Sequence, residues 1–136
     1  MLAALVAGAA VALAAGCKNP PTQAEMGAYD YGPRPENYEK LVRDYLPGDA
    51  SIDFKAGPRE LYQQDTTWRQ LQYGWGVCVW VKDRNSSGGY DDPYPMVFFI
   101  REGKIVAVNG GSKDNVIGWQ FARSGCKELG APFVTP

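Results

Sequence analysis

Apolar and polar residues alternate most regularly between Tyr73 and Val108. Val77, Val79 and Val81 fall on one side of an extended chain and Cys78, Trp80 and Lys82 on the other, the two-residue period of a strand. Met96–Ile100 is an unbroken apolar run, the pattern of a strand covered on both faces. Asp83–Tyr94, rich in Asn, Ser, Gly and Asp, reads as a long turn between them. Arg101-Glu102-Gly103-Lys104 reads as a tight hairpin in which glycine takes positive φ, and Ile105–Val108 as the returning strand. The stretch therefore predicts a three-stranded antiparallel meander that ends at Asn109-Gly110-Gly111.

Helical spacing appears on either side of it. In Pro35–Leu46, Tyr38, Leu41, Val42 and Tyr45 share one face, with Glu36 and Glu39 early, Arg43 late and Pro47-Gly48 as the stop. A second helix is predicted after Asp114 as its cap, anchored by Ile117, Phe121 and Trp119 and weakened by Gly118 and Gly125. Between the first helix and the meander, Ile52 and Phe54 mark a short strand. Gly57-Pro58 interrupts it, and Glu60–Gln64 is expected to continue as an edge strand, where proline is tolerated. Asp65–Gln72, with Trp68 and Leu71, fits either a helical turn or the start of the next strand. The fold class is α+β: a small antiparallel sheet of three to four strands packed by an N-terminal and a C-terminal helix.

Residues 1–16 are uncharged and dominated by Ala, Leu and Val, too short a run for a spanning helix but fit for an export signal. Its end resembles a bacterial lipobox, Leu13-Ala14-Ala15-Gly16-Cys17, with leucine one place upstream of its usual position. Cys17 is thus the expected lipidation site. Ala12-Leu13-Ala14 also satisfies the small-x-small rule for ordinary cleavage, so simple secretion stays open, as does a membrane anchor. Lys18 after the cysteine matches the lipoprotein pattern for the outer membrane, and the domain is expected to face the periplasm. Residues 17–35, with Pro20, Pro21, Pro33 and Pro35, read as a flexible linker, and 36–136 as one domain. Tyr29 and Tyr31 in that linker are expected to dock on the domain.

The remaining composition narrows the chemistry. The chain of 136 residues has a formal net charge of -1 and no long run of one sign, so it lacks the basic footprint of a nucleic-acid binder. It has no histidine, which removes Ser-His-Asp and Cys-His catalysis and most zinc sites. Of three cysteines, lipidation of Cys17 leaves the pair Cys78 and Cys126, expected to form a disulfide in an oxidising compartment. A reactive thiol at Cys78 is the alternative, but no base or cation adjoins it in sequence.

Asp83, Asn85, Ser87, Gly88 and Asp91 are spaced like the start of a calcium loop. Tyr94 stands where the closing bidentate Glu belongs, so the stretch reads as a turn, with Asn85 or Ser86 bonding its backbone. Asp91-Asp92 are adjacent in that turn and lack the separation that paired catalytic carboxyls need. No metal and no cofactor is expected.

The segment VCVWVKDRNSSGGY resembles a strand-turn pattern, V-C-x-x-V-N-x-K-N-S-x-G-G-Y followed by a strand ending D-G-K, found in small exported proteins of Gram-negative bacteria. Val77, Cys78, Val81, Asn85, Ser86, Gly88, Gly89 and Tyr90 carry it, then Glu102, Gly103 and Lys104; GDASIDFKAGPREL upstream is similar to the segment that precedes it there. Lys82 and Arg84 depart from the pattern. The resemblance implies export and this fold, and no activity.

The aromatics Tyr62, Tyr73, Trp75, Trp80, Tyr90 and Tyr94 gather around the first meander strand and its turn. Trp75, Trp80, Tyr90 and Tyr94 are the candidate partner or ligand contacts; the competing reading is that helices cover the sheet on both sides and take them into the core. The expected function is a non-enzymatic envelope lipoprotein, held to the membrane by its lipid, whose domain binds an envelope protein partner or forms an accessory subunit of an envelope assembly. The alternative is an exported binder of a small or glycan ligand through a surface aromatic patch.

Overall fold

The computed structural model describes residues 29–64, 71–111 and 115–135. It is an α+β fold: helix α1 (Tyr38–Tyr45), strands β1 (Ser51–Gln64), β2 (Leu71–Lys82), β3 (Tyr94–Arg101) and β4 (Lys104–Gly110), then helix α2 (Val116–Glu128). The four strands form one antiparallel sheet in the order β1-β2-β3-β4. The expected meander is its last three strands.

The alternation in β2 separates two cores. Val77, Val79 and Val81 join Met96, Phe98 and Ile100 on one face, where Val42 and Leu46 of α1 cover them and Trp75 packs at the margin. Cys78, Val97 and Phe99 lie on the other face under Ala122, Cys126 and Leu129 of α2 and its end, with Trp80 beside them. β3 is buried at every position but its last because it contributes to both. The Cys78–Cys126 disulfide forms within the second core, and both residues are fully buried.

α1 is shorter than its periodicity predicts. Pro35 is buried ahead of it, Asn37 caps without a side-chain hydrogen bond, and only Glu39 and Arg43 remain at the ends favoured by the helix dipole. β1 departs further from expectation. It is one strand of 14 residues, not a short strand followed by a second. The Gly57-Pro58 peptide, which is cis, falls inside irregularities of register between Phe54 and Arg59, with Gly57 at φ 99°. An edge strand absorbs such a bulge because one side of it has no ladder to keep. The ambiguous stretch resolves in part: Leu71 and Gln72 open β2, while Asp65–Gln70, including Trp68, lie outside the described residues.

α2 is capped by the Asn115 side chain, which accepts a hydrogen bond from the Gly118 N–H at 3.1 Å; Asp114 lies outside the described residues. A Cβ at Gly118 would fall 2.6 Å from the Asn115 amide nitrogen, so glycine here makes room for the cap. Ile117 does not anchor the helix and is 55% exposed; Ala122, Gly125 and Cys126 are its buried positions. A Cβ at Gly125 would lie 2.9 Å from Val97 Cγ2. The glycine that weakens the isolated helix therefore lets it approach the sheet closely enough for the disulfide.

A buried polar network ties the sheet ends together. Asn109 Nδ2 on β4 donates to Gln63 Oε1 at 2.7 Å and to Gln72 Oε1 at 2.8 Å, and Gln63 Nε2 donates to the Phe121 carbonyl at 2.8 Å. β1 and β4 are opposite edges, so these bonds require the sheet to curl until the far end of the β1–β2 hairpin overhangs β4.

Candidate functional site

The candidate aromatics do not share one surface. Trp75, half-buried, packs at the margin of the first core, and its indole N–H donates to the Tyr31 and Gly32 carbonyls at 3.0 and 3.2 Å. It thereby clasps the segment before α1. Tyr29 and Tyr31 pack on Tyr73 at ring-centroid distances of 4.7 and 5.7 Å, and Arg34 Nε donates to the Pro58 carbonyl at 3.1 Å. Both tyrosines dock as expected, and residues 29–35, read from sequence as linker, are seated on the domain. Burial is the first cause raising the Tyr31 hydroxyl above its usual range, followed by the neighbouring Glu60 carboxylate and nearby tyrosines.

Trp80 is on the opposite face. Phe133 of the C-terminal tail wedges between Trp80 and Trp119, edge-to-face with both at 5.0 and 6.0 Å. Lys55 sits 4.1 Å above the Trp80 ring and Arg123 4.8 Å from that of Trp119. Neither indole N–H finds an acceptor among the described residues.

Tyr94 is buried and donates to Asp83 Oδ1 at 2.8 Å. Burial pushes its hydroxyl well above the usual tyrosine range, and the hydrogen bond to Asp83 and that carboxylate's charge add to the effect. Tyr90, 46% exposed, is the most open of the four, and Arg84 lies over its ring and donates to its hydroxyl. Asn85 Oδ1 accepts from the Ser87 N–H, the Ser87 hydroxyl and the Gly89 N–H, at 3.1, 2.7 and 3.0 Å. The calcium-like spacing is thus a turn whose donors converge on Asn85. Among the described residues no group of acids and cysteines is placed to hold a metal ion, and no helix is long and apolar enough to cross a membrane. Cys17 lies outside the described residues.

The two sheet edges differ. β1 is interrupted by bulges, lacks an N–H at Pro58 and exposes the paired Asp53 and Lys55, features that discourage a further strand. Among the described residues β4 pairs with β3 alone, regularly from Ala107 to Gly110. Phe99 faces Ala107 and Ile100 faces Ile105, so Val106 is the extra residue of a bulge and stands 43% exposed. At the other end of β4, α2 passes over Gly110 at Ala122, over Val97 at Gly125 and onto Cys78 at Cys126. In its first turn Val116 and Ile117 stand 61% and 55% exposed, while Trp119 packs against the first core.

Beside this edge a cleft of about 380 Å³ opens between the overhanging hairpin and β3–β4, lined by Leu71, Gln72, Tyr73, Arg101, Val106 and Ala107. The Arg101 guanidinium lies 3.7 Å above the Tyr73 ring. Neither ion pair among the described residues, Lys40–Asp44 or Lys55–Asp53, involves it. Sequence reasoning missed this cleft because Arg101 and Val106 read as turn and strand residues, and only the curl of the sheet brings Gln72 to them. A second cleft of about 400 Å³ lies beside β1, lined by Arg59, Glu60, Leu61, Tyr62 and Glu128, whose carboxyl is raised by burial. Compared with family models, curated proteins and solved structures, the chain finds no match.

Proposed function

We propose that the chain is a non-enzymatic lipoprotein of the cell envelope, anchored through Cys17 with its domain toward the periplasm, and that this domain holds a protein partner along its β4 side. The observation that carries the reading is the contrast between the edges. β1 is broken by register shifts between Phe54 and Arg59, whereas β4, paired among the described residues with β3 alone, runs regularly from Ala107 to Gly110, with the exposed Val106 before that run and the exposed Val116 and Ile117 of α2 after it in the chain. Such an edge suits addition of one extended segment, with main-chain bonds giving affinity and flanking apolar side chains giving selectivity. The bulge at Val106 keeps the pairing short and works against open-ended stacking. The buried disulfide accords with an oxidising compartment. A glycan held on an aromatic patch has less support, since Trp75, Trp80 and Tyr94 are engaged in cores and clasps.

The test is site-specific photo-crosslinking in living cells. A photoreactive residue at Val106 or Ile117 of the full chain is expected to give a discrete adduct that the same residue at Tyr45 on α1 does not. Adducts from Tyr45 alone, or none from either β4-side position, would refute the reading.

A further inference from the structure

We infer that the cleft beside β4 receives a carboxylate carried on an extended, otherwise apolar segment of the protein partner. The inference rests on the function proposed above and adds the chemistry of what is bound. The cationic side chain lining the cleft is Arg101, and among the described residues no carboxylate lines it. Gln72 lines it too; one lone pair of its Oε1 is engaged by Asn109 Nδ2 at 2.8 Å, and its two N–H groups can donate to a ligand. Arg101 Cζ lies 3.7 Å from the centroid of the Tyr73 ring. A guanidinium over an aromatic ring keeps N–H donors that a carboxylate can accept from. Lys104 pairs with Arg101 across the hairpin, and the turn between them carries Glu102, so the charge facing the cleft is that of Arg101.

Leu71, Val106 and Ala107 make the rest of the lining apolar. A donor-rich site with apolar walls complements a carboxylate on an apolar segment. The volume is at the low end for ligand sites, enough for a side chain and its neighbours. Val106 and Ala107 belong to the cleft and to the edge strand alike. A segment added along Ala107–Gly110 thus passes the mouth of the cleft, and alternate side chains turn toward it.

The experiment uses the full-length protein in detergent and two fluorescent peptides of alternating threonine and valine, one with a central glutamate and one with glutamine in its place. The glutamate peptide is expected to bind about tenfold tighter or better, the scale of a hydrogen bond to a charged group. Arg101→Gln should abolish the preference, Arg101→Lys should keep part of it, and added salt should shrink it. Val106→Asp, which puts a carboxylate at the cleft itself, should weaken both peptides. Equal affinity of the wild type for the two peptides, binding of neither, or an undiminished preference in Arg101→Gln would overturn the inference. Crosslinking at Val106 is read separately: an adduct there without glutamate preference removes the carboxylate and leaves the edge reading standing.

Discussion

Reducing the Cys78–Cys126 bridge should remove a large part of the domain's stability. The bridge closes a loop with a sequence separation of 48, and both cysteines are fully buried. Loop-closure entropy for that length gives about 4 kcal/mol at 25 °C. A domain of this size holds on the order of 5–15 kcal/mol in all. With an unfolding entropy of roughly 0.2 kcal/mol/K for about 100 residues, the loss corresponds to a fall in Tm of about 15–20 °C. The assay is urea denaturation of the oxidised protein against the same protein unfolded, reduced and refolded in excess reductant. This comparison leaves every side chain in place and isolates the crosslink. Because the bridge is inaccessible, reductant added to the native protein should act only at the rate of opening. A difference below about 1 kcal/mol, or rapid reduction without unfolding, would refute the reasoning.

Three further outcomes are expected. Gly125→Ala should destabilise by about 1–3 kcal/mol in chemical denaturation, because the new Cβ meets Val97 at 2.9 Å; a gain of about 1 kcal/mol, the helix-propensity effect alone, would show that the helix can withdraw freely. Asn109→Ala should cost about 2–3 kcal/mol in the same assay, because Gln63 Oε1 and Gln72 Oε1 lose their shared donor; an effect under about 0.5 kcal/mol would mean the network is not formed. Tyr94→Phe should cost about 1–2 kcal/mol at neutral pH through the hydrogen bond to Asp83. The Tyr94 hydroxyl is raised on folding, so its contribution is complete below its unfolded value of 10.0 and is lost as pH climbs above it. Wild type should therefore lose stability above about pH 10 more steeply than the Phe variant, and parallel pH profiles of Tm would contradict the assignment.

The meander, its two-faced alternation and the disulfide were legible because each rests on local spacing or on a count: a two-residue period in β2, an apolar run in β3, and a cysteine pair left when Cys17 is set aside. Asn85 was legible as a turn residue for the same reason. What escaped depends on distant partners. Gly57-Pro58 reads as a break, yet β2 holds the chain on either side of it in one strand. Ile117 fits a helical stripe, but α2 buries Ala122, Gly125 and Cys126 and leaves Ile117 exposed. Tyr29–Pro35 has a linker's composition, and distant groups seat it: the Trp75 indole, the Tyr73 ring and the Pro58 carbonyl. The cleft needs the curl of the sheet, which follows from Asn109 reaching Gln63 and Gln72. Single residues of ordinary strand type carry no mark of that.

The proposed partner binding and anchored orientation require an exported and acylated chain, and the buried Cys78–Cys126 bridge requires oxidation. The most direct test is the intact mass of the protein extracted from membranes, measured with and without reduction and alkylation. The expected result is an acyl mass on Cys17 as the mature N-terminus, with Cys78 and Cys126 refractory to alkylation until reduced under unfolding conditions. A water-soluble product cut after Ala14 with both thiols free would contradict it.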